Sequence, residues 1–171
     1  SSSLVGSEMC IRDSDVPLFI HASSTDGVGG LKDDRLNQHN LSLSLGYAQE
    51  ETLAVAQLLL GGVLDRHPTL DVCVSHGGGT AAFLAEKMDQ LAQVDPAASE
   101  GVKQNGFGHE LKKLWFDAHV KGEVAAAALR HYAHEDKLVL GTNLGGIDTP
   151  EALSADATRF SQNARRLLRL P

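Results

Sequence analysis

The chain has 171 residues, 42% hydrophobic and 5% aromatic, with a formal net charge of −7 at pH 7 and 17 glycines. That length carries one ordinary core, and the acidic balance speaks against a nucleic acid or an anionic membrane surface as partner. No apolar run approaches the roughly 20 residues of a membrane span, and two cysteines, Cys10 and Cys73, make no disulfide framework.

Residues 1–14, SSSLVGSEMCIRDS, show no apolar periodicity and look like a translated adapter tail on a truncated gene product. They are expected to be a disordered, non-native tail, with the folded unit over 15–171. Val16–His21 is a short apolar run ending in a histidine, with Pro17 near its start, where a missing N–H is tolerable. Residues 22–49 are polar and glycine-rich and read as one long loop, with His39 solvated inside it. Glu50 to Arg66 is the strongest helix, with Glu50 and Glu51 in its first turn, Arg66 and His67 at its end and Pro68 as its stop. Its apolar stripe is read as Leu53, Ala56, Leu60 and Leu64, widened by Val55, Leu58, Leu59 and Val63.

Leu70–Ser75 reads as a buried strand, and His76 follows it directly, ahead of Gly77-Gly78-Gly79. Thr80 to Leu91 is helical, with Leu84, Met88 and Leu91 on one stripe. Cys73, inside the strand, reads as a small buried filler, and a reducing cytoplasm is the default location. Residues 95–110 read as a second polar loop with His109 exposed. Leu114–His119 is a third strand, and Glu123–Tyr132 a helix with Ala125, Leu129 and Tyr132 on one face. His131 and His134 read as surface or helix-end residues. Lys137–Asn143 is the fourth strand, Gly145 and Gly146 its turn, and Thr149-Pro150 a short helical turn. Ser154–Leu168 closes the chain with Phe160, Ala164 and Leu167 as its stripe.

Four strand-to-helix units in a row predict an α/β fold with a parallel sheet and right-handed crossovers. Each strand ends in polar candidates: His21, His76, Asp117 with His119, and Asn143. Polar groups at one end of successive parallel strands are the layout of a (β/α)8 TIM barrel's active face. A full barrel needs eight units and about 250 residues, so four units predict the C-terminal half, strands 5–8. Two other classes fail on residues. No G-x-S-x-G elbow accompanies the glycine turn, which removes an α/β-hydrolase. No Lys-Ser/Thr follows it, which removes a Walker-type phosphate loop. A non-catalytic or metal-free barrel fragment that binds a small ligand stays open as the alternative.

The ordered segments Leu18–His21, Glu51–Ala54, Gly61–Pro68, Val74–Gly79, Leu114–Asp117, Leu138–Asn143 and Asn163–Leu167 make residues 16–171 resemble one family. It is the amidohydrolase-related family typified by aminocarboxymuconate-semialdehyde decarboxylase, within the superfamily of metal-dependent barrels. The resemblance implies a hydrolase or decarboxylase acting on a small carboxylated or cyclic substrate, with a divalent metal, expected to be Zn²⁺. It implies that His21 ligates the metal and that His76 is the catalytic base or proton shuttle. It also places Asn143 where the family carries a metal-binding aspartate. Asn143 offers a carbonyl oxygen but no charge and no basic site. Three readings follow: weaker metal binding with His76 taking more of the proton work, a hydrogen bond from Asn143 to substrate alone, or loss of metal chemistry. Asp117 is either a partner that orients a histidine or a strand-end turn residue, and His119 sits at the mouth as a substrate contact. The expected partner is a small molecule, with a homodimer for a longer parent protein. The family's first-strand His-x-His pair does not occur here, so the chain alone is expected to be inactive.

Overall fold

In the computed structural model of the protein, residues 14–23, 33–143 and 156–171 are described. The expected tail over residues 1–13, the glycines of 24–32, the turn at Gly145 and Gly146, the Thr149-Pro150 turn and the first residues of the last helix lie outside them.

Four short strands form one sheet: β1 (Leu18–Ile20), β2 (Val72–Val74), β3 (Trp115–Asp117) and β4 (Leu138–Val139). They pair in sequence order and every pairing is parallel. The alternating strand–helix pattern is the cause, since a parallel return needs a crossover. Register puts Phe19, Cys73 and Trp115 in one row and Ile20, Val74, Phe116 and Leu138 in the next. Neighbouring rows face opposite sides of a pleated sheet. The second row joins Val72 and the helices in the main core, with Val55, Leu59, Ala81, Ala85, Phe107 and Leu129. Cys73 and Trp115 of the first row, with Val139 and Leu167, form a smaller cluster on the other face. At β1 that face is uncovered, and Phe19 is 56% exposed. Cys73 is buried as a filler, and burial, helped by the Asp117 charge, pushes its thiol up to about 12.

The helices are α1 (Tyr47–Leu60), α2 (Val63–Arg66), α3 (Ala81–Ala92), α4 (Glu100–Asn105), α5 (Phe107–Glu110), α6 (Glu123–Tyr132) and α7 (Ala157–Leu167). The helix expected over Glu50–Arg66 is therefore two. It starts earlier, after a π-helical turn over Ser42–Gly46, and breaks at Gly61-Gly62, where Gly62 has φ 65°. Ser99 covers the break: its N–H donates to Leu60 O at 2.8 Å and its hydroxyl to Leu59 O at 2.9 Å. These bonds satisfy carbonyls that an ended helix leaves open.

The expected stripes shift as well. In α1 the buried residues are Glu51, Thr52, Val55 and Leu59, while Leu53 is 46% exposed. In α3 the buried residues are Ala81, Ala85 and Ala92, not the leucines, and Leu91 is exposed. In α6 Ala125 is exposed and Leu129 carries the buried face. The last helix keeps its stripe and adds buried Asn163, whose amide donates to Glu135 O and Leu138 O at 2.9 and 2.8 Å. Residues 95–110 are not a loop. Ser99 caps α4, and Gly106, at φ 92°, separates it from α5. Asp89 of α3 accepts the Phe107 N–H there. The 22–49 loop also contains a 3-10 turn (Asp34–Leu36) and a left-handed His39-Asn40 pair before the π-helical turn. His39 and His109 are exposed as expected.

The glycine run after β2 lets α1 lie directly on the turn. Gly79 has φ 65°, and a Cβ there would stand 2.1 Å from the Ala48 carbonyl oxygen and 2.7 Å from Thr52 Oγ1. Thr52 Oγ1 donates to Ala48 O at 2.6 Å and accepts the Thr80 N–H at 2.8 Å. From the other side, Asp117 at the end of β3 accepts the Gly77 and His119 backbone N–H groups on one oxygen, both at 3.2 Å. Burial raises the Asp117 pKa, opposed by those N–H groups and by the nearby His76 and His119 imidazoles.

Two expectations follow. Gly79→Ala should lower unfolding stability in urea by about 1–3 kcal/mol through overpacking, with added strain from its positive φ. For Asp117 the sign is set by its raised pKa. The folded state holds that proton more tightly than the unfolded chain, so ionising Asp117 removes stability as pH rises from its unfolded value through its folded one. Asp117→Asn, which keeps an oxygen acceptor, should unfold at equal or higher urea than the native chain at pH 7. Asp117→Ala leaves two backbone donors unpaired and should cost about 1–3 kcal/mol. Urea titrations of both variants at pH 4 and pH 7 check this.

Candidate active site

Parallel pairing in sequence order puts the residues that follow each strand along one edge of the sheet. His21 follows β1, His76 lies just past β2, and His119 is two residues beyond β3. The His21 and His76 ring centroids are 5.1 Å apart, and those of His76 and His119 are 5.7 Å apart, both edge-to-face. His76 is the middle of the row because β2 lies between β1 and β3.

The backbone at His76 is set by its glycines: φ is 49° at His76, 63° at Gly77 and 74° at Gly78. A Cβ at Gly78 would meet the Phe116 ring at 2.7 Å, so the turn packs flat on β3. This turns the His76 imidazole toward α1. Its Nδ1 lies 2.6 Å from Glu51 Oε1, and the Glu51 side chain is fully buried. The second oxygen, Oε2, is buried with no hydrogen-bond partner among the described residues. Tyr47 lies four residues before Glu51, on the same helical face. Its ring is 6.0 Å from His21 and 6.3 Å from His76.

The sequence pointed to neither Glu51 nor Tyr47 as a site residue. Glu51 was legible as a helix N-terminal acid, which accounts for its charge with no need of a partner. The signal that finds it is position: Glu51, Val55 and Leu59 repeat at i, i+4, so an acid sits in the core-facing stripe. Tyr47 continues that stripe backwards, but the 22–49 loop reading hid the helix turn that carries it.

The remaining expected residues take distinct places. His21 is exposed, and its Nδ1 is 2.7 Å from Ala22 O. A carbonyl can only accept, so Nδ1 carries the proton and Nε2 presents its lone pair. Asp117 uses one oxygen on the two backbone N–H groups described above. Asn143 is half-buried with φ 46°. The segment leading to it passes Asp117 and His119 closely: a Cβ at Gly141 would stand 2.8–2.9 Å from their side-chain atoms. His67, His131 and His134 are away from this row. His67 ends α2, His131 packs on Tyr132, and His134 caps the Glu135–Lys137 turn.

His21 fits a divalent metal as a single ligand, because a backbone carbonyl on the far nitrogen is the usual way such a histidine is oriented. Among the described residues, no group of three or more His, Cys, Asp or Glu side chains is placed to hold a metal ion. No helix among them is long and apolar enough to cross a membrane.

Several known proteins are similar to this chain. The chain is 30% identical over 139 residues to the 2-amino-3-carboxymuconate-6-semialdehyde decarboxylase of Dictyostelium discoideum, covering 79% of this chain and 38% of that protein. It is 26% identical to the Caenorhabditis elegans protein of the same name, covering 75% and 31%. Among solved structures it matches an apo-form IDCase of Metarhizium anisopliae at 26% identity and TM-score 0.65, covering 92% of this chain and 44% of that one. It also matches a 5-carboxyvanillate decarboxylase of Novosphingobium aromaticivorans, solved with manganese and 3-methoxy-4-hydroxy-5-nitrobenzoic acid. There the identity is 18% and the TM-score 0.73, covering 95% and 51%. The chain thus spans less than two fifths of the length of these curated relatives. A family model described as amidohydrolase matches residues 9–170. By that match across nearly its whole length, the chain belongs to the amidohydrolase family.

Proposed function

We propose that the protein is a decarboxylase of small carboxylated substrates, and that its four strands are strands 5–8 of an eight-stranded barrel. The observation that carries the chemistry is His76. It is the central imidazole of the row, held at Nδ1 by a fully buried carboxylate, with its other nitrogen on the opposite side of the ring. The decarboxylases matched above support the reaction class, and their greater length supports the barrel reading.

Decarboxylation breaks the bond between the carboxylate carbon and the substrate skeleton, and the electron pair stays on the skeleton carbon. A proton must then reach that carbon. When the ring carries a proton on each nitrogen, His76 Nε2 is the atom that delivers it, which leaves a neutral ring with its remaining proton on Nδ1 toward Glu51. Tyr47 and His21 border one flank of His76, and His119 borders the other. A flat carboxylated molecule would lie against these rings, where aromatic edges and faces pair favourably. In this reading His119 and Asp117 line the substrate side, with Asp117 holding the backbone of both neighbours. Asn143 offers an uncharged amide to the same rim and takes no proton. His21 would supply one ligand to a divalent metal, whose charge stabilises negative charge building up on substrate oxygens. Manganese in a matched structure agrees with a divalent ion and does not single out zinc. Other metal ligands would come from the barrel strands that this chain does not span.

The test is carbon dioxide release from three carboxylated probes: 2-amino-3-carboxymuconate-6-semialdehyde, 5-carboxyvanillate and 2,6-dihydroxybenzoate. The protein containing the whole barrel should turn over at least one, with dependence on added Mn²⁺ or Zn²⁺. His76→Gln should lower kcat by about 10²–10⁴-fold, the usual worth of a positioned acid or base. Its thermal unfolding should stay cooperative. Turnover unaffected by that substitution would overturn the assignment. Carbon dioxide release by the isolated 171-residue chain would overturn the half-barrel reading.

A further inference from the structure

Beyond the reaction itself, we infer that Glu51 is a positioning residue whose purpose is to fix which nitrogen of His76 faces substrate. The inference rests on the decarboxylase reading for its purpose, but on geometry for its content.

Three observations carry it. First, Glu51 is fully buried, yet Oε2 has no hydrogen-bond partner among the described residues. A buried carboxylate with one open oxygen loses stability compared with an apolar residue of similar size. The fold gives no compensating reason to keep it. Glu51 stands in the same i, i+4 stripe as Val55 and Leu59, where an aliphatic side chain would pack. Second, its one bond goes to His76 Nδ1, at 2.6 Å. A carboxylate only accepts, so the proton on that bond belongs to the imidazole Nδ1. The lone pair, or the transferable proton, is then on Nε2. Third, the pair is held from both sides. Gly79 lets α1 approach the turn to within the space a Cβ would fill, and Thr52, next to Glu51, bonds to Thr80 at the far end of that turn. Side chain and acceptor therefore sit on two elements clamped together just beside them, which is how a ring orientation is held to within a few tenths of an ångström.

His21 is oriented the same way by a different acceptor, the Ala22 carbonyl. In both imidazoles Nδ1 is the nitrogen that is held, in one by a backbone carbonyl and in the other by a carboxyl group. The charged acceptor falls on the residue assigned to move a proton, where a carboxylate also steadies the positive ring that forms when His76 holds two protons.

The experiment is two-bond ¹H–¹⁵N correlation spectroscopy of the histidine rings in the ¹⁵N-labelled 171-residue chain, with His76 assigned from H76Q. The native chain should show His76 protonated at Nδ1. In Glu51→Met, an apolar replacement of similar volume, the proton should move to Nε2. In Glu51→Gln, which keeps a carbonyl acceptor and the packing, Nδ1 protonation should persist. A native His76 protonated at Nε2 alone overturns the inference, whether or not the variants fold. So does a Glu51→Met chain with the native tautomer. In the turnover assay, Glu51→Met should lower kcat about 10–100-fold, with KM changed by less than about twofold. A purely structural role would lower stability and leave the ring tautomer alone. The ring readout needs no turnover, so it judges the Glu51 assignment separately from the decarboxylase reading.

Discussion

The close approach of one helix to one glycine turn organises this molecule. At Gly79 the space for a side chain is filled by a backbone carbonyl from α1. Because no Cβ intervenes, the helix and the turn after β2 behave as one body, and the hydroxyl of Thr52 closes the seam. Everything that distinguishes the site depends on that seam. It brings an acid from the helix to an imidazole from the strand end, and it carries Tyr47 to the same place one turn earlier. A helix held even 1 Å further out would leave Glu51 buried and alone, which is among the costlier states a side chain can occupy.

The sheet supplies the second constraint. Parallel strands in sequence order give the site its linear character: three imidazoles in a row, one per strand, spaced by 5.1 and 5.7 Å. Asp117 stitches the row from below, because one oxygen bonds the backbone of both the His76 turn and His119. A charged group placed there is disfavoured by burial and retained by the N–H groups it satisfies. The other end of the sheet is held differently. Asp71 accepts the Trp115 indole N–H at 2.6 Å and pairs with Arg169 at 3.0 Å, while Lys137 sits over the Trp115 ring. The imidazoles gather at one rim and structural ion pairs at the other, and in parallel α/β folds the strands' carboxyl ends are where ligands collect.

Much of this was legible in the residues. Four apolar runs ending in polar groups, separated by helical patterns, led directly to the parallel sheet and to the row of His21, His76 and His119. Element ends were less legible. The short helices α4 and α5 span six and four residues, too few turns to show a period, and Gly106 made them look like loop. The stripe of α1 escapes a hydrophobic pattern because two of its four buried residues, Glu51 and Thr52, are polar. On α1 the buried face carries the carboxyl group that meets His76, while the apolar Leu53 faces outward. The alanine face of α3 was hidden for a related reason: close helix packing selects small side chains, and a scale that rewards size points to the leucines instead.

Cys73 shows what the buried sheet does to an otherwise reactive atom. With its thiol pushed up to about 12 by burial and the Asp117 charge, the thiolate, which is the form that attacks peroxides and disulfides, is strongly disfavoured at neutral pH. Burial and a disfavoured thiolate both oppose its entry into the sulfenic, sulfinic and sulfonic series while the sheet is closed. Oxidation at this position therefore calls first for opening of the strands that cover it.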